Sequence, residues 1–273
     1  MSKVPNLKIM IILTLILCLF IIISSLSGVF FEKELYSMNV PAYIVQSVGT
    51  DIGNLFVIVP ILLLSIIFLY RNSKKAFIIW FGTMMYALYL FIYNCFTLHF
   101  NHLFLIYCAE LGLTLYSLFI AIASLNADSI KSWFSLTAKT TGTIIYLLIL
   151  GSFFIIFWLS DVIPASIGGT LPKSAADLGL ITASFHALDL GVFFPGFLFS
   201  AFLLYKKNGF GYLLAPAFLV FAVIMTLCLV FLVIVTALRG LGFILTDVLL
   251  FGSAAVTSGI ILMNFLKHCI ADK

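Results

Sequence analysis

The stretch "GYLLAPAFLVFAVIMTLCLVFLVIVT", residues 211–236, contains no charged side chain. An α-helix rises about 1.5 Å per residue, so about 20 apolar residues cross a bilayer core of roughly 30 Å. Residues 211–236 therefore predict a membrane-spanning helix.

The whole chain has the composition of a membrane protein. Its residues are 64% hydrophobic and 9% charged, with a mean hydropathy of +1.27. Soluble domains are about 25% charged, and a soluble fold of this size must cover its surface with polar groups. The composition excludes a water-soluble domain and makes the lipid bilayer the first predicted partner.

Eight apolar runs are long enough to cross the bilayer. Each is predicted to be a helix, because backbone polar groups in lipid must be satisfied within the segment. The predicted fold is therefore all-α, a polytopic membrane protein with eight transmembrane helices. The runs are 7–30, 52–70, 76–98, 103–125, 142–160, 180–204, 211–236 and 242–266.

The basic residues predict the orientation, because cytoplasmic loops are rich in lysine and arginine. A cytoplasmic N-terminus places eleven of them inside: Lys3, Lys8, Arg71, Lys74, Lys75, Lys131, Lys139, Lys206, Lys207, Lys267 and Lys273. Three then lie outside: Lys33, Lys173 and Arg239. This predicts a multi-pass protein of the cell membrane with both termini in the cytoplasm. The net charge of +4 follows from this topology and does not indicate nucleic-acid binding.

The first span leaves an alternative open. Lys3 and Lys8, the apolar stretch 9–23 and the small residues at 25–27 also have the pattern of a cleavable signal peptide. The mature protein would then have seven spans and an outside N-terminus, as receptors do. The internal repeat described next requires the first helix and favours eight spans.

Two pairs of motifs indicate a duplication. "DIGNLF" begins at Asp51 and "DLGVFF" at Asp189, 138 residues later, and each is followed by a proline. Glu110 and Asp247 end a second pair of similar segments, 137 residues apart. Half of the chain is 136.5 residues, so we predict two four-helix repeats, 1–136 and 137–273. Units with an even number of spans are parallel, related by an axis along the membrane normal; chance similarity of apolar sequence is the alternative.

Four acids mark the even-numbered spans: Asp51, Glu110, Asp189 and Asp247. Counted from the basic residues at the inner ends, all four lie in the outer third of the membrane. Asp51 and Asp247 are predicted at the outer interface, and Glu110 and Asp189 deeper. Charged side chains within spans usually face the bundle interior or a water-filled cavity. The four acids are therefore predicted to line an outward-opening vestibule; reaching the headgroups or pairing structurally is the alternative.

Asp189 has two predicted neighbours. His186 lies three residues earlier, on the same helical face. Arg239 lies in the outer loop between the last two spans. We predict that Asp189 is a titratable group of the outer cavity, with His186 and Arg239 as its ionisable neighbours.

Two further groups of side chains carry weaker signals. Tyr86, Tyr89 and Tyr93, with Asn94 beside them, form one face of the third span and suit either a flat ligand or aromatic packing between helices. Cysteines and histidines flank the turn at 95–108, but their spacing matches no standard zinc site. We expect neither a metal nor a cofactor.

Three function classes remain. The repeat and the paired acids favour a transporter of a small solute or ion, coupled to protons or cations. The outward cavity also suits a ligand-binding or sensory membrane subunit. An intramembrane enzyme using His186 and Asp189 is favoured only by residue types, and the common hydrolase, phosphate-loop and dinucleotide motifs are absent, so we expect no enzyme. The predicted partners are the small solute or ion and, beyond the lipid, either a partner protein or a second copy of the chain.

Overall fold

Membrane-spanning helices make up most of the described part of the protein. The computed structural model describes residues 6–135, 139–242 and 245–270, and within them eight helices are long and apolar enough to cross a membrane. They are α1 (Leu7–Phe30), α2 (Pro41–Tyr70), α3 (Lys74–Thr97), α4 (Phe104–Ala123), α5 (Thr141–Gly168), α6 (Ser184–Tyr205), α7 (Gly209–Leu238) and α8 (Leu245–Leu266). The predicted all-α, multi-pass fold is confirmed. Lys3, Lys273 and the predicted repeat boundary at 136/137 lie outside the described residues.

Short helices in the connections complete the architecture. Their bounds are Glu32–Leu35, Ala127–Lys131 and Lys173–Ala176. The first and third lie at the same end of the bundle, which also carries residues 98–103. We call this end the upper end; it is the one predicted to face outward.

Two helices are longer than hydropathy predicts. α2 begins at Pro41, although the apolar run in the sequence begins only at residue 52. The run is interrupted by three polar residues, Gln46, Ser47 and Thr50, and their side chains line an internal cavity. α5 continues past residue 160 to Gly168. A hydropathy window ends at such polar side chains, whereas the helix continues because its backbone remains hydrogen-bonded.

The helices pack in two groups joined by α7. In the first group, α1 and α3 each pack against α2 and α4. In the second, α6 packs between α5 and α7, and α8 packs on α7. α7 also packs against α2 and α3, so it joins the two groups. α5 and α8 share few contacts, among them a 2.7 Å hydrogen bond between the hydroxyls of Tyr146 and Ser258.

The contact between α3 and α7 depends on a glycine. A Cβ built on Gly82 would lie 2.5 Å from the carbonyl oxygen of Ala217 and 2.6 Å from Cβ of Val220. The absent side chain is what allows the two helices to approach this closely. Large side chains fill the core around this contact, including the fully buried Trp80 and Phe221.

α2 and α6 each contain one π-helical turn. The turns span Asn54–Ile58 and Asp189–Phe193, and Pro60 and Pro195 follow them. A proline inside a helix lacks an N–H donor and clashes with the carbonyl four residues earlier, so the preceding turn widens. At these π-turns α2 and α6 depart from regular α-helical hydrogen bonding.

The two π-turns have the same register. Asn54 and Asp189 begin them, 135 residues apart, and the prolines are also 135 apart. The predicted repeat pairs Asp51 with Asp189 at an offset of 138 residues. The π-turns instead pair Asn54 with Asp189 and place Asp51 opposite His186.

The same offset extends to the loops that follow α2 and α6. Tyr70 and Tyr205 end the two helices, and Asn72 and Lys207 both adopt left-handed backbone conformations, with φ of 57° and 55°. Descent of the two groups from one four-helix unit, related by rotation about the membrane normal, stays a prediction.

Candidate functional site

A cavity of about 530 Å³ lies between the two helix groups. It extends from Ser174 and Asp177 at the upper end to Ser258 of α8, and side chains from α2, α3, α5, α6, α7 and α8 line it. Thirteen of its thirty-three lining residues are aromatic. Three are aspartates, Asp51, Asp177 and Asp189, and among the described lining residues there is no lysine, arginine or histidine. The cavity is therefore apolar, aromatic and acidic.

Asp189 lies in the cavity wall at the start of the α6 π-turn. Its side chain is 2% exposed. Its Oδ2 accepts a 2.7 Å hydrogen bond from the indole Nε1 of Trp158 on α5. Its Oδ1 accepts no hydrogen bond from the described residues, although the Tyr89 hydroxyl is a polar neighbour. Asp189 thus presents one buried, unsatisfied carboxylate oxygen.

His186 does not pair with Asp189, although both lie in α6. Its Nε2 is 3.1 Å from Oγ of Ser174 and 3.6 Å from Oδ2 of Asp161. Trp158 lies between the two groups: its ring centroid is 4.5 Å from that of His186, while its Nε1 bonds Asp189. The predicted neighbour relation is therefore corrected. His186 is buried behind Trp158 and does not line the cavity.

Asp161 holds the loop above the cavity, and it is not among the site residues predicted from the sequence. It accepts hydrogen bonds from the backbone N–H groups of Lys173 and Ser174 and from Oγ of Ser174 at 2.5 Å. Asp161 follows the predicted end of span five, so its position suggested only a loop residue. Its spacing of three from Trp158 was the one available signal, since it puts both side chains on one helical face.

Asp51 lies in the opposite wall, on α2. Oη of Tyr36 donates a 2.7 Å hydrogen bond to its Oδ2. Burial, and then the Asp51 carboxylate itself, raise the pKa of Tyr36 well above its ordinary value, so this hydroxyl stays a donor. The sequence placed Asp51 at the outer interface, but α2 extends ten residues above it and its side chain is only 8% exposed.

Glu110 lies away from the cavity, between α1 and α4. Its side chain is fully buried and does not line the cavity. Oγ of Ser24 donates a 2.6 Å hydrogen bond to its Oε1, and its Oε2 has no hydrogen-bond partner among the described residues. Of the acids predicted to line a vestibule, Asp51 and Asp189 line the cavity and Glu110 does not. Counting residues gives depth along a helix and does not give the face on which a side chain lies.

Arg239 and Asp247 also lie outside the cavity. Arg239 donates two hydrogen bonds, of 2.9 and 2.8 Å, to the carboxylate of Glu32, and its side chain is 47% exposed. It is therefore the partner of Glu32 and not the expected neighbour of Asp189. Asp247 is half-buried in the first turn of α8, and no hydrogen bond or ion pair joins it to another described residue.

The tyrosine face of α3 points into the cavity. Tyr86, Tyr89, Tyr93 and Asn94 all line it. The rings of Tyr86 and Tyr89 are stacked with centroids 6.3 Å apart, and Tyr89 meets Phe193 edge-on at 5.1 Å. The face therefore packs against neighbouring aromatic rings and also forms part of the cavity wall, while a flat ligand against it stays a prediction.

The chain matches no family model, no curated protein and no solved structure. The chemistry of the cavity must therefore be inferred from its own side chains. Buried carboxylates without a basic partner attract a cation, and aromatic faces attract cations through their quadrupole.

Proposed function

We propose that the protein is a membrane carrier for a small organic cation, which it binds in the aromatic, acidic cavity. The observation that carries the proposal is Oδ1 of Asp189, which has no hydrogen-bond partner in the described part of the chain and lies in a cavity whose described lining includes no basic side chain. The proposed activity moves a solute and includes no chemical conversion.

The charge of the cavity favours a cationic ligand. A carboxylate removed from water is costly unless it is paired or hydrogen-bonded. The indole of Trp158 donates to Oδ2 of Asp189, and no described residue donates to Oδ1 within hydrogen-bond geometry. A positively charged ligand would supply the missing partner, and an anion would be repelled by Asp51 and Asp177 as well.

The aromatic lining favours an organic cation over a bare metal ion. Cations over tyrosine, tryptophan or phenylalanine rings within about 6 Å of the centroid are attracted to the ring face, and desolvated sites strengthen this attraction. The side chains of Tyr89, Tyr93 and Trp158 line the same cavity as Asp189. A volume of about 530 Å³ accommodates a drug-sized or smaller molecule.

The position of the cavity favours transport. Carriers built from parallel repeats bind their solute where the repeats meet, and interrupted helices often form the site. Here the acids lie beside π-turns in α2 and α6, one from each predicted repeat. We further propose that the upper end faces outward and that both termini are cytoplasmic, as the distribution of basic residues predicts, in the cell membrane.

Uptake into proteoliposomes tests the proposal. Benzyltrimethylammonium is a suitable probe, since it joins a ring to a permanent charge; neopentylbenzene is its neutral isostere and benzoate an anionic control. We expect saturable uptake of the cation alone. Asp189→Asn should weaken its binding by about tenfold or more, since a buried charge partner is lost. Asp247→Asn is the matched control, because it changes an acid outside the cavity.

Four outcomes would count against the proposal. Absence of saturable binding, or equal binding of the neutral isostere, would contradict a cation site. Uptake unchanged in Asp189→Asn would remove Asp189 from it. Specific binding without uptake would contradict transport and favour the ligand-binding or sensory alternative.

A further inference from the structure

The carboxyl group of Asp189 can be neutralised in two ways, and they exclude one another. Its side chain is 2% exposed, and Oδ2 accepts a 2.7 Å hydrogen bond from the indole of Trp158. Its Oδ1 has no hydrogen-bond partner among the described residues. A carboxyl group in such a place holds a proton unless a positive charge lies against it, because an isolated charge out of water is very costly. Asp189 therefore carries either a proton or a cation.

The basic side chains of the described residues are engaged elsewhere or lie outside the cavity. The described residues that line the cavity include no lysine, arginine or histidine. His186 lies behind the ring of Trp158, with its Nε2 3.6 Å from Oδ2 of Asp161. Arg239 is paired with Glu32. The described part of the chain thus provides no cation for this carboxyl group, and a positive charge there comes from solution.

The other titratable groups of the cavity differ from Asp189 in chemistry or surroundings. The lining tyrosines and Cys228 of α7 ordinarily ionise only above neutral pH, so they hold their protons in the range where carboxyl groups titrate. Asp177 on the upper loop is exposed, so water can solvate its charge. Asp51 on α2 accepts a hydrogen bond from a phenol in the opposite wall. Asp189 is the lining acid with a buried oxygen that no described residue engages.

We propose that the carrier exchanges one proton for one organic cation at Asp189. The exchange rests on the proposed carrier function and deepens it by naming the ion whose gradient drives transport. An arriving cation takes the place of the proton, which passes through the cavity to water. An empty, ionised carboxylate is the costly state, so the carrier reorients with either the proton or the organic cation bound. Each full cycle then moves one positive charge in each direction and no net charge.

Proton release on binding measures the exchange in the purified, full-length protein. Benzyltrimethylammonium has a permanent charge, so any pH dependence of its binding belongs to the protein. Added to weakly buffered protein with a pH indicator, it should release one proton per bound cation on the acidic side of the binding curve. There its dissociation constant should fall about tenfold for each rise of one pH unit, as linkage requires when one proton is displaced. Saturable binding that releases no proton at any pH would overturn the exchange and leave the carrier intact.

Three single variants assign the proton to one acid. Asp189→Asn should bind benzyltrimethylammonium more weakly, and the binding that remains at higher probe concentration should release no proton. Asp51→Asn should still release one proton per bound cation. Asp247→Asn is the matched control outside the cavity and should release as many protons as the wild type. Loss of proton release in Asp51→Asn, or its retention in Asp189→Asn, would overturn the assignment.

Trp158→Phe tests the same assignment if Asp189→Asn fails to fold or to bind. The new ring donates no hydrogen bond, so the ionised form of Asp189 loses the donor that stabilises it. The proton should then be harder to displace, and the pH at which cation binding is half-maximal should rise. Trp80→Phe is the matched control, because that indole donates to Thr14 outside the cavity, and it should leave this pH unchanged. An unchanged value in Trp158→Phe would overturn the assignment.

Proteoliposomes test the coupling itself. With the membrane potential clamped at zero by potassium and valinomycin, vesicles with an acidic lumen should accumulate benzyltrimethylammonium, and nigericin should abolish the accumulation. An inside-negative potential without a pH gradient should produce no accumulation, since the exchange moves no net charge. Accumulation driven by the potential alone would support the carrier and overturn the exchange. Absence of saturable binding to the wild type would contradict the carrier and the exchange together.

Discussion

Trp158 and Asp189 are joined by a 2.7 Å hydrogen bond that connects α5 to the π-turn of α6. The bond satisfies Oδ2, whereas Oδ1 has no hydrogen-bond partner among the residues that the structure describes. It also places the indole ring between Asp189 and His186. One side chain thus separates the acid of the cavity from the histidine that holds the upper loop.

Replacing the indole tests this relationship. Trp158→Phe keeps an aromatic ring and removes the donor, so a buried carboxylate loses its hydrogen bond. We expect a loss of stability of about 1–3 kcal/mol, measured by thermal unfolding in detergent. The double variant Trp158→Phe/Asp189→Asn should lose less stability than the sum of the losses in the two single variants. Additive effects would show that the two residues are not coupled.

The second prediction concerns Tyr36 and pH. Its raised pKa means that the folded state favours the protonated phenol, so the stability it contributes is present below its ordinary pKa of 10.0 and is lost as the pH rises above that value. Between about pH 9 and 11, the wild type should therefore lose stability more steeply than Tyr36→Phe, which has no ionisable hydroxyl. Thermal melts across this range measure the difference. Parallel curves for the two proteins would contradict it.

The third prediction concerns the contact between α3 and α7. Gly82→Ala introduces a Cβ against the backbone of Ala217, so the helices must separate. We expect a loss of about 1–3 kcal/mol, as for other overpacked positions. Gly252→Ala is the matched control, since a Cβ there meets nothing within 4 Å. It should be neutral or stabilise by up to about 1 kcal/mol, because alanine is the better helix former. Equal effects would contradict the assigned packing.

The fourth prediction concerns topology. Reporters placed in the loop at 71–73 and after the C-terminus should both report cytoplasm, and one in the loop at 169–172 should report the outside. The large excess of basic residues at one end of the bundle is the physical reason. A mature N-terminus at Gly28, found by protein sequencing, would contradict the eight-span topology and support the receptor-like one. It would also remove Ser24 from Glu110.

Hydropathy could predict the eight spans because lipid requires long apolar helices, but it could not give their true ends. Polar residues that face an internal cavity, such as Gln46 and Ser47, look like the end of a span in a sequence window. The same internal surface explains why α2 is 30 residues long.

The sequence could identify the acids as candidate site residues, because charged residues in spans are rare and costly. It could not identify the hydrogen-bond partners of these acids. Trp158 and Tyr36 are two aromatic residues in a chain that is 16% aromatic, and nothing local marks them as donors to Asp189 and Asp51. Glu110 lies at the depth expected for a vestibule residue, but it is on the face of α4 that packs against Ser24 of α1.

The matched π-turns have a consequence for ancestry. Each widens its helix by one residue six positions before a proline. If the two halves descend from one unit, both the widened turn and the proline preceded the duplication, since independent insertion at one register would require the same event twice. The ancestral unit would then have formed the cavity as a two-fold symmetric homodimer. Fusion into one chain would then have allowed the copies to diverge, with Asp51 and Asn54 in one and His186 and Asp189 in the other.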